Sequence, residues 1–558
     1  MKTRSGDILS GPEWANVRAL YKACGYSDEE LHKPLIAVVN SYNTVCPGHM
    51  ILEQLSKRVK EGIQAGGGTP VEFGTIGACD GIAMGHEGMR YILPAREMIA
   101  NDIEAMLWAH RLDGMVLLGS CDKIIPGMLM AAMRINLPSI VVNGGPSLPG
   151  HMTKNNPYGG TYIDHSIIQE SEGALKAGQI SEEEFTWLEN HAVPSIGSCA
   201  MLGTANTMGC LAEAMGMMLP GTSAIPAVYS KRLSAAYDSG RALMELIRKN
   251  IRPRDIVTRQ ALINAIRVNS AIGGSTNAVL HLLAVAYEGG IDLDIFEFGE
   301  AGSEVPHLVP LIPSGGYTLL DFYEAGGLPV LMKEIESRLY TQEMTCTART
   351  LAENLEGVTN NRPEIIHHLD APVHQRAGIG ILRGNLAPDG AVTKPSAIPE
   401  KALYFRGKAK IFEGEEEALA GIRKGQAMPG DVIVIRNEGP KGGPGMPEMY
   451  KAMKLLVGMD LGSQACVITD GRFSGSNNGC FAGHICPEAA DDGPIAYLEN
   501  GDEIIVDIKN GSIEASVDFE ERRRRKNTYQ RAVQGCLYQY AKNVLSASHG
   551  AVIPVREQ

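Results

Sequence analysis

The feature that most limits the possible folds is the alternation, over the first two thirds of the chain, of short β-rich runs with longer helical ones. Pro34–Asn40 (PLIAVVN) reads as a buried strand, and after a loop an amphipathic helix runs from about His49 to Gln64. Asp113–Gly119 (DGMVLLG) repeats the strand signal, followed by a loop, a helix from Pro126 to about Ile135, and the strand Ser139–Asn143 (SIVVN). Pro126 suits a first helical turn, where its missing N–H costs nothing. This is the pattern of βαβ units around a parallel sheet, so the expected fold class is α/β.

From about residue 385 the texture changes. Asp431–Arg436, Gln464–Thr469, Pro494–Leu498, Glu503–Ile508 and Ser512–Val517 read as short strands between turn residues, the signature of a second, β-rich domain. Asn360–Gly380, with Pro363, Pro372 and little periodicity, is the candidate linker. The expected division is therefore 1–375 and 385–558, in keeping with a chain of 558 residues that is too long for one compact core.

A formal net charge of −13 disfavours non-specific binding to nucleic acid or to an anionic membrane. The basic run Arg522–Lys526 follows Asp518, Glu520 and Glu521 and reads as a solvated or interface face rather than a polyanion site. Met1–Leu9 has no apolar core of the signal-peptide type, and no stretch approaches the ~18 apolar residues that span a bilayer, so a cytoplasmic location is expected. In that compartment eleven cysteines argue for thiols, metal ligands or catalysis before a disulfide framework.

Cys46, Cys121 and Cys199 share one context, a turn between a probable strand and a probable helix: Asn43-Thr-Val-Cys-Pro-Gly-His49, Gly119-Ser-Cys-Asp-Lys123 and Gly197-Ser-Cys-Ala200. In an open α/β sheet such turns gather at the carboxyl edge, so cysteines distant in sequence can converge. Helix N-termini and backbone N–H groups favour the thiolate, the metal-binding form. Singly, each cysteine is more often a small core hydrophobe. No Cys-x-x-Cys pair marks a zinc ribbon or a ferredoxin-type cluster. Asp122 and Lys123 follow Cys121 directly, Asp80 ends the turn Gly77-Ala-Cys-Asp80, and Glu448 closes the glycine-rich segment Gly442–Glu448. Loop carboxylates suit magnesium, although each Asp alone is more often a turn former or helix cap. Ser474, in Thr469–Gly479, follows a strand; beside a metal its hydroxyl could become a base, and otherwise it is a turn residue.

Several longer segments, in order along nearly the whole chain, carry a resemblance: Ser5–Gly11 (SGDILSG), Gly81–Met89 (GIAMGHEGM), Cys121–Met128 (CDKIIPGM), Gly203–Met208 (GTANTM), Gly273–Asn277 (GGSTN) and Asp470–Gly475 (DGRFSG). With these the sequence resembles the dihydroxy-acid and sugar-acid dehydratases. The resemblance implies an α/β/α N-terminal domain, a β-barrel-like C-terminal domain and an active site between them, in a homodimer or dimer of dimers. It implies that Cys46, Cys121 and Cys199 hold an iron–sulfur cluster, [2Fe–2S] being expected although the same thiols could hold [4Fe–4S]. It further implies that Asp80, Asp122, Glu448 and Lys123, the last as a carbamate, bind Mg²⁺, and that Ser474 is the base. The expected substrate is a 2,3-dihydroxy carboxylic acid, converted to a 2-oxo acid.

The sequence departs from the biosynthetic members at Ala200-Met201-Leu202, where Gly-Gly-Met is usual, at Cys79, where a hydroxyl residue is common, and at Ser476 and Asn477, where Gly and Thr are frequent. These departures bear on the substrate: branched 2,3-dihydroxy acids are the first expectation and aldonic acids the second. The rivals are an iron–sulfur redox sensor, which needs the thiols but neither the carboxylates nor Ser474, and a zinc hydrolase.

Overall fold

The computed structural model describes residues 3–151, 162–176, 178–459, 461–474, 479–524, 529 and 531–555. Ser476, Asn477, Arg525 and Lys526 therefore lie outside the described residues.

Four parallel strands form the N-terminal sheet: β1 (Leu35–Asn40), β2 (Thr69–Gly74), β3 (Gly114–Gly119) and β4 (Ser139–Asn143), in the order β2-β1-β3-β4. Every residue of β1, β3 and β4 is buried. Strands covered on both faces need continuous apolar side chains, which is why these three were readable as runs. β2 (TPVEFG) is an edge strand that contains Pro70 and Glu72 and is mostly half-exposed, so its sequence carries no such run.

Three helices cross between consecutive strands: α1 (Leu52–Ala65), α2 (Ile92–Ala109) and α3 (Ile124–Ile135). The chain moves one way from β1 to β2 and the other way from β2 to β3 and from β3 to β4. Right-handed crossovers then put α1 on one face and α2 and α3 on the other, giving the expected α/β/α layers. A long helix, α4 (Ser230–Lys249), packs beside α1. Behind α3 lies α5 (Asn277–Gly289), which is buried along nearly all its length.

The C-terminal region contains β5 (Gly380–Gly384), β6 (Ala387–Thr393), β7 (Tyr404–Glu413), β8 (Asp431–Arg436), β9 (Cys466–Thr469), β10 (Cys480–Ala482), β11 (Glu503–Asp507) and β12 (Ser512–Ala515). They form one sheet in the order β10-β9-β8-β7-β11-β12-β5-β6. Its ends nearly meet: Val392 bridges Gly483, and the Thr393 hydroxyl donates to the Phe481 carbonyl at 2.7 Å, so the sheet is barrel-like, as expected. One expected strand is absent. Pro494–Tyr497 is a 3-10 turn, and the Arg436 guanidinium binds the carbonyls of Ile495, Ala496 and Leu498, the acceptors a strand would offer to a neighbour.

Between the short helix Leu351–Asn354 and β5 the chain forms neither helix nor strand. It is tied to the first unit by His307, whose backbone N–H donates to the carbonyls of His374 and Arg376 and whose carbonyl accepts from Val373 N–H. The two units also meet directly. Arg90 pairs with buried Glu438 at 3.0 Å, and Gly445, at φ +88°, sits so close that a Cβ there would lie 1.7 Å from the Arg90 carbonyl. Among the described residues no helix is long and apolar enough to cross a membrane.

Candidate metal centre

The strand order reverses at β1, whose neighbours on the two sides are β2 and β3. In open parallel sheets that reversal opens a crevice at the carboxyl edge. The loops leaving β1, β2 and β3 there carry Cys46, Cys79-Asp80 and Cys121-Asp122.

The thiols of Cys46, Cys79 and Cys121 lie within 4.8 Å of one another, and the sulfurs of Cys46 and Cys121 are 3.2 Å apart. Cys46 and Cys121 are buried at the floor, and Cys79 is half-buried. Cys199 falls outside this group but lines the same cavity of about 210 Å³, together with Asp80 and Asp122. Its context also differs from the strand-to-helix turn expected. Only a one-residue bridge, Ser198 to Pro146, precedes it, because Gly197 and Ser198 run beside the chain leaving β4 rather than forming a strand of their own. The cluster of sulfurs shares its protons unevenly: the Cys121 and Cys46 thiols both donate toward Cys79, as does the Ile82 backbone N–H, holding the Cys79 thiol far below its ordinary value. Hydrogen bonds to Cys46 and Cys79, with burial, push Cys121 well above it, and burial does the same to Cys199.

A second group adjoins the first. Carboxylate oxygens of Asp80, Asp122 and Glu448 also lie within 4.8 Å of one another. Because side chains at adjacent loop positions diverge, the two Cys-Asp pairs send their sulfurs to one group and their carboxylates to the other. Lys123, 1% exposed, places Nζ 3.0 Å from Glu448 Oε1 and 3.3 Å from Asp122 Oδ2. Glu448 Oε1 also accepts from Asn277 Nδ2 at 2.9 Å and from Arg472 Nη1 at 2.8 Å. Burial and the Asp122 charge push the Asp80 carboxyl well above its ordinary value. Burial opposes ionisation of Asp122 too, but Lys123 and hydrogen bonds from Asp80 and Thr204 hold it below its ordinary value. Two carboxyls that compete for one proton in a buried site have the electrostatics of a cation site.

Ser474 is 8% exposed and follows Phe473 in the loop after β9; two residues earlier, Arg472 forms a bridge with Glu448. The structure thus brings Cys46 and Cys121 together, and Asp80, Asp122, Lys123 and Glu448 together, and sets Cys199 on the shared wall. Cys466 and Cys480 are buried in the barrel core and Cys486 in a cluster that also takes in Leu93 and Leu280 of the first unit, all three outside the thiol group.

Sequence reading missed the residues that hold these loops. His49 accepts from the Cys121 backbone N–H through Nε2 at 3.2 Å and donates from Nδ1 to the Ser41 carbonyl at 2.7 Å; burial lowers its pKa and favours this neutral tautomer. Asn43 accepts from the Cys46 N–H at 2.8 Å and donates to the Gly77 carbonyl at 2.9 Å, lashing the β1 and β2 loops together. Gly77 is required there, since a Cβ would come within 2.3 Å of Asn43 Nδ2. Asn206 donates to the carbonyls of Cys199 and Met201. The only available signal was that Asn206, Asn277 and Arg472 stand inside the matched segments Gly203–Met208, Gly273–Asn277 and Asp470–Gly475.

Residues 33–354 match the family model described as dihydroxy-acid/6-phosphogluconate dehydratase N-terminal, and residues 364–551 match its C-terminal counterpart. The chain belongs to the dihydroxy-acid/6-phosphogluconate dehydratase family. Curated relatives within it are similar over their whole length. Proteins named dihydroxy-acid dehydratase are 47% identical in Ruminiclostridium cellulolyticum and 46% in Pyrococcus furiosus, each covering 99% of this chain and 100% of its own. The one from Syntrophobacter fumaroxidans is 48% identical over 99% of both chains. Membership makes this dehydratase a hydro-lyase, and the paired thiol and carboxylate groups are its metal-binding candidates.

Proposed function

We propose that this dehydratase removes water from a branched 2,3-dihydroxy carboxylic acid, such as 2,3-dihydroxyisovalerate, to give the 2-oxo acid. The observation that carries the reading is the thiol group set directly beside the carboxylate group, in a chain 46–48% identical over its full length to proteins named dihydroxy-acid dehydratase.

The donor sets fit the cofactors that this chemistry needs. Cys46, Cys121 and Cys199 would hold an iron–sulfur cluster, either [2Fe–2S] or [4Fe–4S], since thiolates are the usual ligands of such clusters. Asp80, Asp122, Glu448 and a carbamylated Lys123 would hold Mg²⁺, a hard cation that takes oxygen ligands. Carbamylation would turn Lys123 from a competing cation into a further anionic oxygen ligand. When bound, the two centres supply Lewis acidity toward the substrate carboxylate and C2 oxygen on one side and the C3 hydroxyl on the other.

The chain's own groups do the rest. Asn277 and Arg472 fix Glu448 through its Oε1. Ser474 Oγ, as the alkoxide, receives the C2 proton and returns it to the departing C3 hydroxyl, which leaves as water; the resulting enol tautomerises to the 2-oxo acid. We further propose that the protein works as a cytoplasmic homodimer. The test is an anaerobic panel of 2,3-dihydroxyisovalerate against C5 and C6 aldonates, scored by 2-oxo acid formation with and without Mg²⁺. Faster turnover of an aldonate would reassign the substrate; magnesium-independent silence on every substrate would favour a redox sensor.

A further inference from the structure

Four thiols face one cavity, whereas three suffice to hold a cluster with one iron open to substrate. The fourth is Cys79. Its sulfur lies within 4.8 Å of those of both Cys46 and Cys121, closer to the pair than Cys199 comes. It leaves β2 in the same way that Cys121 leaves β3, as the first residue of a Cys-Asp pair whose carboxylate joins the cation group.

Cys79 also differs from its partners in how it is held. The Cys121 backbone N–H is bound by His49 and the Cys46 N–H by Asn43, and both cysteines are buried at the floor. Cys79 is half-buried at the start of the four-residue helix Asp80–Ala83, beside Ile82, which is 54% exposed. Cys79 is thus the most exposed sulfur of the three, and the residue after it, Asp80, belongs to the carboxylate group.

Resting on the cluster reading above, we propose that Cys79 is a fourth, displaceable ligand of the iron–sulfur cluster. It closes the substrate-binding iron in the resting enzyme and yields to the C3 hydroxyl when substrate binds. The exchange is redox-neutral: the iron bond to Cys79 sulfur breaks, a bond to the hydroxyl oxygen forms, and the released thiolate takes one proton from solvent.

The experiment is ⁵⁷Fe Mössbauer spectroscopy on anaerobically purified holoenzyme, wild type and Cys79→Ala, with and without 2,3-dihydroxyisovalerate, alongside iron and acid-labile sulfide analysis. The expected wild-type spectrum has only all-sulfur iron sites without substrate and gains one distinct site on adding it. Cys79→Ala should keep its iron and sulfide, show the distinct site without substrate, and lose its cluster to air faster. Cys79→Ser checks the same point with an oxygen donor, which should shift that one site alone. A wild-type resting spectrum that already contains the distinct site, unchanged in Cys79→Ala, overturns the inference. So does cluster loss from Cys79→Ala but not from Cys199→Ala, which would make Cys79 one of the permanent ligands. Protein without iron and sulfide in any form overturns the cluster reading itself.

Discussion

His307 provides a quantitative test of how the two halves are joined. It is fully buried, donates from Nε2 to the Val309 carbonyl at 2.9 Å, and its Nδ1 lies 3.1 Å from Nδ1 of His374, whose ring stacks on it. Burial, with the nearby His374 and Lys394, lowers its pKa from 6.5 to about 3. As pH falls through 6.5 the unfolded chain takes up a proton that the folded chain refuses, so stability contributed above pH 6.5 is lost on the way down toward pH 3. At 1.36 kcal/mol per unit, the roughly 1.5 units between 6.5 and pH 5 amount to about 2 kcal/mol. His307→Gln removes this penalty while keeping a donor. The cost of the substitution, measured by urea unfolding at constant salt, should therefore be about 2 kcal/mol smaller at pH 5 than at pH 7. An equal cost at the two pH values would refute the argument that burial keeps this ring neutral.

Cys46→Ser, Cys121→Ser and Cys199→Ser should each lose iron and activity, whereas Cys466→Ser, Cys480→Ser and Cys486→Ser keep both; full iron in one of the first three would strike that residue from the ligand set. Lys123→Ala should weaken Mg²⁺ binding, read by calorimetry, by at least the ~10- to 100-fold typical of losing a group that orients a metal site. In the metal-free protein with Lys123 unmodified, Glu448→Gln leaves buried Arg472 without its carboxylate and buried Lys123 with Asp122 as its one remaining carboxylate, and should cost about 3–5 kcal/mol of stability; a loss under about 1 kcal/mol in denaturant titration would contradict the ion-pair geometry. Ser474→Ala should leave cluster spectrum and Mg²⁺ binding intact while turnover falls ~10²- to 10⁴-fold; retention of more than about a tenth of the activity would assign the base elsewhere.

How legible the fold was depended on burial. β1, β3 and β4 are covered on both faces and so read as apolar runs, as do β8 and β9, whereas β11 and β12, buried at alternate positions, are readable by alternation between turn residues. β2 was not, because an edge strand is free to carry Pro70 and Glu72. Asp80 is legible as a loop carboxylate, but Cys79 beside it lacks the flanking context shared by Cys46, Cys121 and Cys199, and spacing alone does not say how close two loops come. Nor does sequence reveal that Glu448, more than three hundred residues from Lys123, meets it at 3.0 Å, since that contact depends on Gly445 fitting against the Arg90 carbonyl.

The paired centres follow from one economy of backbone. The loops leaving β2 and β3, the two strands that flank β1 at the switch point, converge over its carboxyl end, and each contributes two consecutive side chains that diverge. A Cys-Asp pair at both positions therefore builds two groups at once, soft sulfurs on one side and hard oxygens on the other, with no freedom to drift apart, because each sulfur is joined to its carboxylate by a single peptide bond. Completion of each group is left to other loops: Cys46 from β1 on the sulfur side, and Glu448 from the barrel on the oxygen side. The separation of the centres is set by the first domain alone, while the second domain closes the oxygen side. Disturbing the domain contact at Arg90 and Gly445 should consequently impair the carboxylate group before the thiol group.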